Sequence, residues 1–307
     1  MSVPILITAF CRPALTVDAV NTILKMRPDS EIVVSQDGRI PGFYESEHSM
    51  TRSALLDLSK NEPRIKLNLR DLNRGLTQHL IAVFQELFKT NDSVIFLEED
   101  MRICHAGINY LESIRKDTGL SHRTSFSTTN HPVSRDNEEF RLSYFPEQWG
   151  ISINKETFEA FVEEFVRKQI DRTTVRHIIN QAGYGFIQRE FLTDFWVELL
   201  RKEVNAPHGW DATLQWTLWK HRVPSKVSLK SHITDHGGEI GSITSRTDFV
   251  PCAQNRKGEH SIKSQDFCTF CEQQDAGRRR FSASSQFRTR LKIRSRIRNL
   301  VEQQRYR

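Results

Sequence analysis

The stretch Asp92-Ser93-Val94-Ile95-Phe96-Leu97-Glu98-Glu99-Asp100-Met101 constrains this chain more than any other. A short, wholly apolar run rich in β-branched residues reads as a buried strand, and this one ends in three consecutive carboxylates. In open α/β sheets, ligands sit in the crevice outside the carboxyl ends of the strands. Three acids placed there call for a cation, and hard oxygen donors favour Mg²⁺ or Mn²⁺, whose shells are commonly completed by water and a substrate diphosphate. The plainer reading is a solvated acidic turn in which Glu99 and Asp100 cap a following helix.

The pattern on either side of the acids sets the fold class. Val3 to Phe10 reads as a buried strand, Cys11-Arg12-Pro13 as a breaker, and Ala14 to Met26 as a helix with Leu15, Val20, Ile23 and Leu24 apolar. Glu31 to Ser35 forms a second strand ending at the turn Gln36-Asp37-Gly38, a polar helix spans about 49–59, and Arg64 to Leu69 alternates as a third strand. Leu76, Leu80, Val83, Phe84 and Leu87 recur at helical spacing, so a helix leads into the acid-tipped strand. The order β-α-β-α-β-α-β predicts an α/β fold with a mostly parallel, doubly wound sheet. Beyond the acids the pattern turns α+β, with a short strand at 124–127, a polar loop over 130–140, an aromatic turn within Tyr144 to Ile153 that leads to another short strand, and helices at 155–168, 189–203 and 211–220. A Gly-rich loop over 232–245 and an irregular segment over 252–271 complete this half.

Composition matters chiefly through its asymmetry. Of the net +6 charge, residues 277–307 carry +10 and the rest of the chain −4, so a mildly acidic body bears a strongly basic tail. The absence of a membrane-length apolar run or a signal-like leader predicts a cytoplasmic protein, and five scattered cysteines fit a reducing compartment.

Several stretches, in order, resemble the nucleotide-sugar-dependent glycosyltransferases of the GT-A fold, above all the N-acetylglucosaminyltransferase I-like family. They are Cys11-Arg12-Pro13 after the first strand, Val33 to Gly38, Glu98-Glu99-Asp100, Tyr144-Phe145-Pro146 through Trp149-Gly150, and Trp210-Asp211. The resemblance spans about residues 3–245. It implies a nucleotide-sugar half over 1–101 and an acceptor half over 102–250 of one GT-A domain, followed by a Cys-containing segment (251–276) and the basic tail (277–307).

The resemblance also assigns roles. Asp100 would anchor a divalent metal, with Glu98 and Glu99 orienting the donor sugar or the metal's waters. Arg12 and Asp37 would hold uridine and ribose, and Asn73-Arg74 could add a contact. By spacing, the family's nucleotide-contacting histidine falls at Thr77, with His79 nearby. Asp211 would be the general base of an inverting transfer. Trp149 would stack on a sugar, and His236 would complete the metal or phosphate shell. Without the resemblance, Asp37 is an Asp-Gly turn, Asp211 an N-cap, Trp149 a core residue and His236 a loop residue. The implied reaction moves a sugar from a UDP-sugar, UDP-GlcNAc being one candidate, to a hydroxyl of a glycan or glycolipid acceptor. The alternatives are a sugar nucleotidyltransferase and a degenerate transferase acting through its tail.

Two features stand outside that resemblance. Cys252, His260, Cys268 and Cys271 could close a structural zinc site, or remain free thiols in a loop. In the tail, residues 278–307, Ile293, Ile297, Leu300 and Val301 form an apolar stripe among arginines. Such a segment fits an anionic membrane surface, and a packing helix or a disordered tail fits it too. Nucleic acid is disfavoured as a partner, because the tail lacks interleaved aromatic residues.

Overall fold

The chain begins its order with a parallel β-α-β run. The computed structural model describes residues 3–113, 126–127, 140–144, 150–181, 186–205, 209–228 and 233–235. Strand β1 (Ile5–Ala9) leads through α1 (Pro13–Met26) to β2 (Ile32–Gln36), then α2 (Glu45–Asn61), β3 (Ile65–Leu69), α3 (Leu76–Leu87) and β4 (Ser93–Glu98). Pro13 starts α1, where its missing N–H costs nothing. Gly75 precedes α3 at φ 76°, a conformation that glycine adopts without a steric penalty.

Strands β3, β2, β1 and β4 lie side by side and parallel, with Ile7 of β1 in register with both Val34 and Leu97. The chain walks outward from β1 to β3 and then returns to the other side of β1. The strand order therefore reverses at the β1/β4 pair, and a crevice opens beyond the carboxyl ends of those two strands. Glu98, Glu99 and Asp100 leave β4 at that crevice, facing Phe10, Cys11 and Arg12 as they leave β1. The α/β fold with a mostly parallel, doubly wound sheet expected from the sequence is the one observed.

The second half extends the same sheet. Strand β5 (Met101–Ile103) and helix α4 (His105–Ser113) follow the acids, then β6 (Phe126–Ser127), β7 (Phe140–Ser143) and β8 (Ile151–Asn154). Helices α5 (Lys155–Arg167), α6 (Arg172–Gln181), α7 (Phe186–Glu203) and α8 (Trp210–Lys220) precede β9 (Ser225–Ser228) and β10 (Ile233–Asp235). β8 joins β4 antiparallel, and β6, β9 and β7 continue outward. Met101 to Ile103 instead pair antiparallel with Ile233 to Asp235 in a separate two-stranded sheet. The boundary at 101/102 thus falls inside β5. A helix capped by Glu99 and Asp100 does not follow the acids, because β5 intervenes, and the segment read as a Gly-rich loop from 232 opens with a strand.

Side-chain alternation along the strands divides the core. Ile5, Ile7, Ile95 and Leu97 pack under α1, α2 and α4 with Val20, Ile23, Leu55 and Ile108. Leu6, Val94 and Phe96 face the opposite layer with Leu80, Phe84, Phe158, Trp210 and Leu214. A third cluster joins α6, α7 and α8 around the fully buried Trp216 and Trp219. Burying an aliphatic side chain of this size contributes roughly 1.5–3 kcal/mol, so the strands bearing the acids are rigidly seated. Among the described residues, no helix is long and apolar enough to cross a membrane.

Candidate active site

The site is built on the turn that leaves β4. Glu99 is buried, and its Oε2 accepts the Phe10 N–H at 2.9 Å and the Thr16 hydroxyl at 2.7 Å. Its Oε1 accepts Arg12 Nε at 2.6 Å, while Arg12 Nη1 donates to Asp100 Oδ2 at 2.9 Å. Burial raises the Glu99 pKa, and the Arg12 charge and the three donors oppose that rise. Arg12 in turn loses solvation, but the Glu99 and Asp100 carboxylates outweigh that loss and hold it firmly protonated. Glu99 therefore faces inward as a buried anchor, and Asp100 is the half-buried acid that Arg12 reaches across to.

Glu98 has the most perturbed environment. Burial, then the nearby Asp100 and Asp211 carboxylates, push its pKa up to about 8, against the pull of Arg12 and of a hydrogen bond from Trp210. Asp211 comes from the far side of the chain. Trp210 opens α8 and packs edge-on against Phe96 of β4, with ring centroids 5.2 Å apart, which brings the start of α8 against the end of β4. Asp211 lies in the first turn with its carboxylate exposed, and its Oδ1 accepts the Ala212 N–H at 2.8 Å. The N-cap position belongs to Gly209, so Asp211 is not the N-cap that a local reading gives. An acid in a first turn still interacts favourably with the helix dipole.

Asp37 heads a second group at the end of β2. Its Oδ1 accepts the Gly38 N–H at 2.9 Å, and the Arg74 N–H is shared between its two oxygens at 3.1 and 3.2 Å. Asn73 completes the tie by donating from Nδ2 to the Gly38 carbonyl at 2.8 Å and accepting the Gly75 N–H. His79 lies behind this turn, buried, with Nε2 2.9 Å from the Ser35 hydroxyl and Nδ1 3.6 Å from Asp37 Oδ1. Burial lowers the His79 pKa, although Asp37 acts the other way. Thr77 is also buried, and its hydroxyl has no hydrogen-bond partner among the described residues.

Gln36 connects the two groups. Its Nε2 donates to the Phe10 carbonyl at 2.8 Å and to the His48 carbonyl at 3.0 Å, while the Phe10 N–H binds Glu99. Sequence reasoning passed over Gln36, His48 and Thr16 as parts of this frame, and named Trp210 only as the neighbour of Asp211. Only the Gln36-Asp37-Gly38 turn could have drawn attention to Gln36; the other links join residues far apart in the chain. Trp149 and His236 lie outside the described residues, as do Cys252, His260, Cys268, Cys271 and the tail. β10 does bring Asp235, the neighbour of His236, into register with Met101, the neighbour of Asp100.

The donor chemistry suits a hard divalent cation. Asp100 keeps Oδ1 outside its contact with Arg12, and the mutual repulsion recorded at Glu98 is what such an ion would relieve. No group of three or more His, Cys, Asp or Glu among the described residues forms a metal cage by itself. A Mg²⁺- or Mn²⁺-type ion relying on water and substrate oxygens is compatible with that sparse donor set.

No family model and no curated protein matches the chain. Weak likenesses to solved structures do occur. One is a Bacillus anthracis protein described as a glucose-1-phosphate thymidylyltransferase, at 14% identity over 53% of this chain and 75% of that one, TM-score 0.35. Another, from Desulfovibrio desulfuricans G20 and described as a nucleotide-diphospho-sugar transferase, shares 12% identity over 52% and 68%, TM-score 0.31. An active-site mutant of LgtC shares 14% identity over 73% and 71%, TM-score 0.37. At these identities and TM-scores the likenesses say nothing of this chain's chemistry.

Proposed function

We propose that this chain is a metal-dependent, inverting glycosyltransferase that moves a sugar from a UDP-sugar to a hydroxyl of a glycan or glycolipid. The observation that carries the reading is the meeting of Glu98, Asp100 and Asp211 at the strand-order reversal, brought about by the packing of Trp210 on Phe96. A crevice of that kind is where doubly wound sheets hold nucleotides. The motif resemblance through Asp37, Asp100 and Asp211 supplies the donor class and the stereochemistry.

Asp37 and the turn it ties to Asn73 and Arg74 would form the nucleoside end of the site. Asp100 would hold a divalent ion, which when bound supplies Lewis-acid neutralisation of the donor's diphosphate. Asp211, solvent-facing at the start of α8, would take the proton of the acceptor hydroxyl as its oxygen attacks the anomeric carbon. The bond from that carbon to the diphosphate oxygen then breaks, and its electron pair leaves with UDP. Glu98 lies between Asp100 and Asp211 electrostatically and would receive a hydroxyl of the donor sugar, donating to it or accepting from it according to its protonation state. The tail would hold the enzyme at an anionic membrane surface for a lipid-linked acceptor.

Calorimetric titration with UDP, GDP and CMP, each with and without Mn²⁺, tests the reading directly. Selective UDP binding that Mn²⁺ strengthens, with the strengthening lost in Asp100→Ala, is expected. Failure to bind any of the three nucleotides would overturn it, and turnover of a nucleoside triphosphate with a sugar phosphate would replace it with nucleotidyl transfer.

A further inference from the structure

Glu99 cannot serve a ligand without dismantling its own surroundings. It is 3% exposed and accepts from the Phe10 N–H, the Thr16 hydroxyl and Arg12 Nε. Swinging it outward would leave the Phe10 N–H at the end of β1 without its acceptor and take the charge partner from Arg12, both costly away from water, while the Thr16 hydroxyl would fall back on the Arg12 carbonyl at 2.9 Å. One edge of the Arg12 guanidinium is therefore clamped to an immobile carboxylate. The planar fork then fixes the direction of Nη1, which meets Asp100 Oδ2 at 2.9 Å. Asp100 is only 15% exposed and has no other hydrogen bond among the described residues, so this contact sets the orientation of its carboxylate.

We propose that Arg12 is the positioning residue of the cation site: anchored by Glu99, it holds Asp100 Oδ2 and thereby presents Oδ1 to the divalent ion. This rests on Asp100 being the ion's carboxylate, as in the function proposed above. It departs from the role implied by the motif resemblance, in which Arg12 touches the nucleoside. Groups that orient a metal's carboxylate or imidazole ligands commonly alter metal affinity 10- to 100-fold when removed. A nucleoside contact instead alters UDP affinity whether or not metal is present.

The experiment measures Mn²⁺ affinity from the free-ion electron paramagnetic resonance signal. UDP affinity with and without Mn²⁺ is followed by ligand-observed NMR, in the wild type, Arg12→Ala and Arg12→Lys. The expected result is Mn²⁺ affinity lowered 10- to 100-fold in Arg12→Ala, with metal-free UDP affinity within twofold of wild type. Arg12→Lys, which retains the charge but lacks the fork, should fall between the two, and it decides the matter if the alanine variant does not fold. Unchanged Mn²⁺ affinity in the folded variants overturns the proposal, and so does an equal loss of UDP affinity with and without metal. A wild-type protein that binds UDP but not Mn²⁺ overturns the metal reading itself, a result distinguishable because it does not depend on Arg12.

Discussion

Trp210 stands edge-on to Phe96, with ring centroids 5.2 Å apart and planes at 85°, and its indole N–H donates to Glu98. One side chain thus joins the start of α8 to the acid-bearing strand twice, by packing and by a hydrogen bond. The two ties separate by substitution. Trp210→Ala removes both and should cost about 3–5 kcal/mol in urea unfolding, as large-to-small aromatic changes in cores do. Trp210→Phe keeps most of the apolar contact and loses only the donor, so about 1 kcal/mol is expected. If both variants cost the same, the packing on Phe96 is not what seats α8.

Asp211 and Asp100 should fail in different ways. Asp211→Asn keeps the shape of the first turn of α8 and removes the proposed base, so glycosyl transfer should fall by at least 10² while UDP affinity stays within twofold. Asp100→Ala should weaken UDP binding in Mn²⁺ and leave metal-free binding unchanged. Parallel calorimetry and transfer assays on the two variants check the division, and loss of donor binding in Asp211→Asn would sink the role given to that residue.

The folded-state pKa of Glu98, raised to about 8, makes stability depend on pH with a definite sign. Between the ordinary glutamate range near 4.3 and about 8, the folded state holds a proton that the unfolded chain has released. Stability therefore falls as pH rises through that window, by up to roughly 1.4 kcal/mol per unit, and levels off above it. Denaturant titrations from pH 5 to 9 should show this decline, and Glu98→Gln should flatten it. A divalent ion at Asp100 should flatten it too, by holding Glu98 ionised in the folded state. A pH-dependence of stability between pH 5 and 8 that is the same in the wild type and in Glu98→Gln would refute the assignment.

The strands and helices that could be read from sequence were those whose core face repeats along a single segment. Leu76, Leu80, Val83 and Phe84 form such a face on α3, and the Val94–Leu97 run marks β4 by being buried on both sides. Helix α6 escaped because it shows only Val175, Ile178 and Ile179 in a polar stretch, a pattern that gains meaning when α7 and α8 cover it. β5 and β10 escaped because three residues each cannot signal a strand whose partner is about 130 positions away. In the site, the acids stood out as a run, whereas Glu99 turning inward to Thr16 and Phe10 depends on where β1 and α1 lie. Chemical type was legible locally, and which acid turns inward was not.

Gly38 tests how tightly the proposed nucleoside end is built. A Cβ added there would lie 2.1 Å from the Leu72 carbonyl carbon and 2.4 Å from the Asn73 nitrogen, both backbone atoms that cannot rotate away. Gly38→Ala must therefore push the β3–α3 connection off the β2 turn and break the bonds from Asp37 to the Arg74 N–H and from Asn73 to the Gly38 carbonyl. Gly42 gives the matched control: its φ of +75° strains any L side chain, but nothing lies within 4 Å of an added Cβ. Gly42→Ala should cost about 1–2 kcal/mol from backbone strain alone and leave UDP binding unchanged. Gly38→Ala should cost more than that and weaken UDP binding at least tenfold, because it displaces the turn bearing Asp37 itself. If Gly38→Ala loses stability yet binds UDP like the wild type, the Asp37 turn is a structural clasp and the nucleoside lies elsewhere along the crevice.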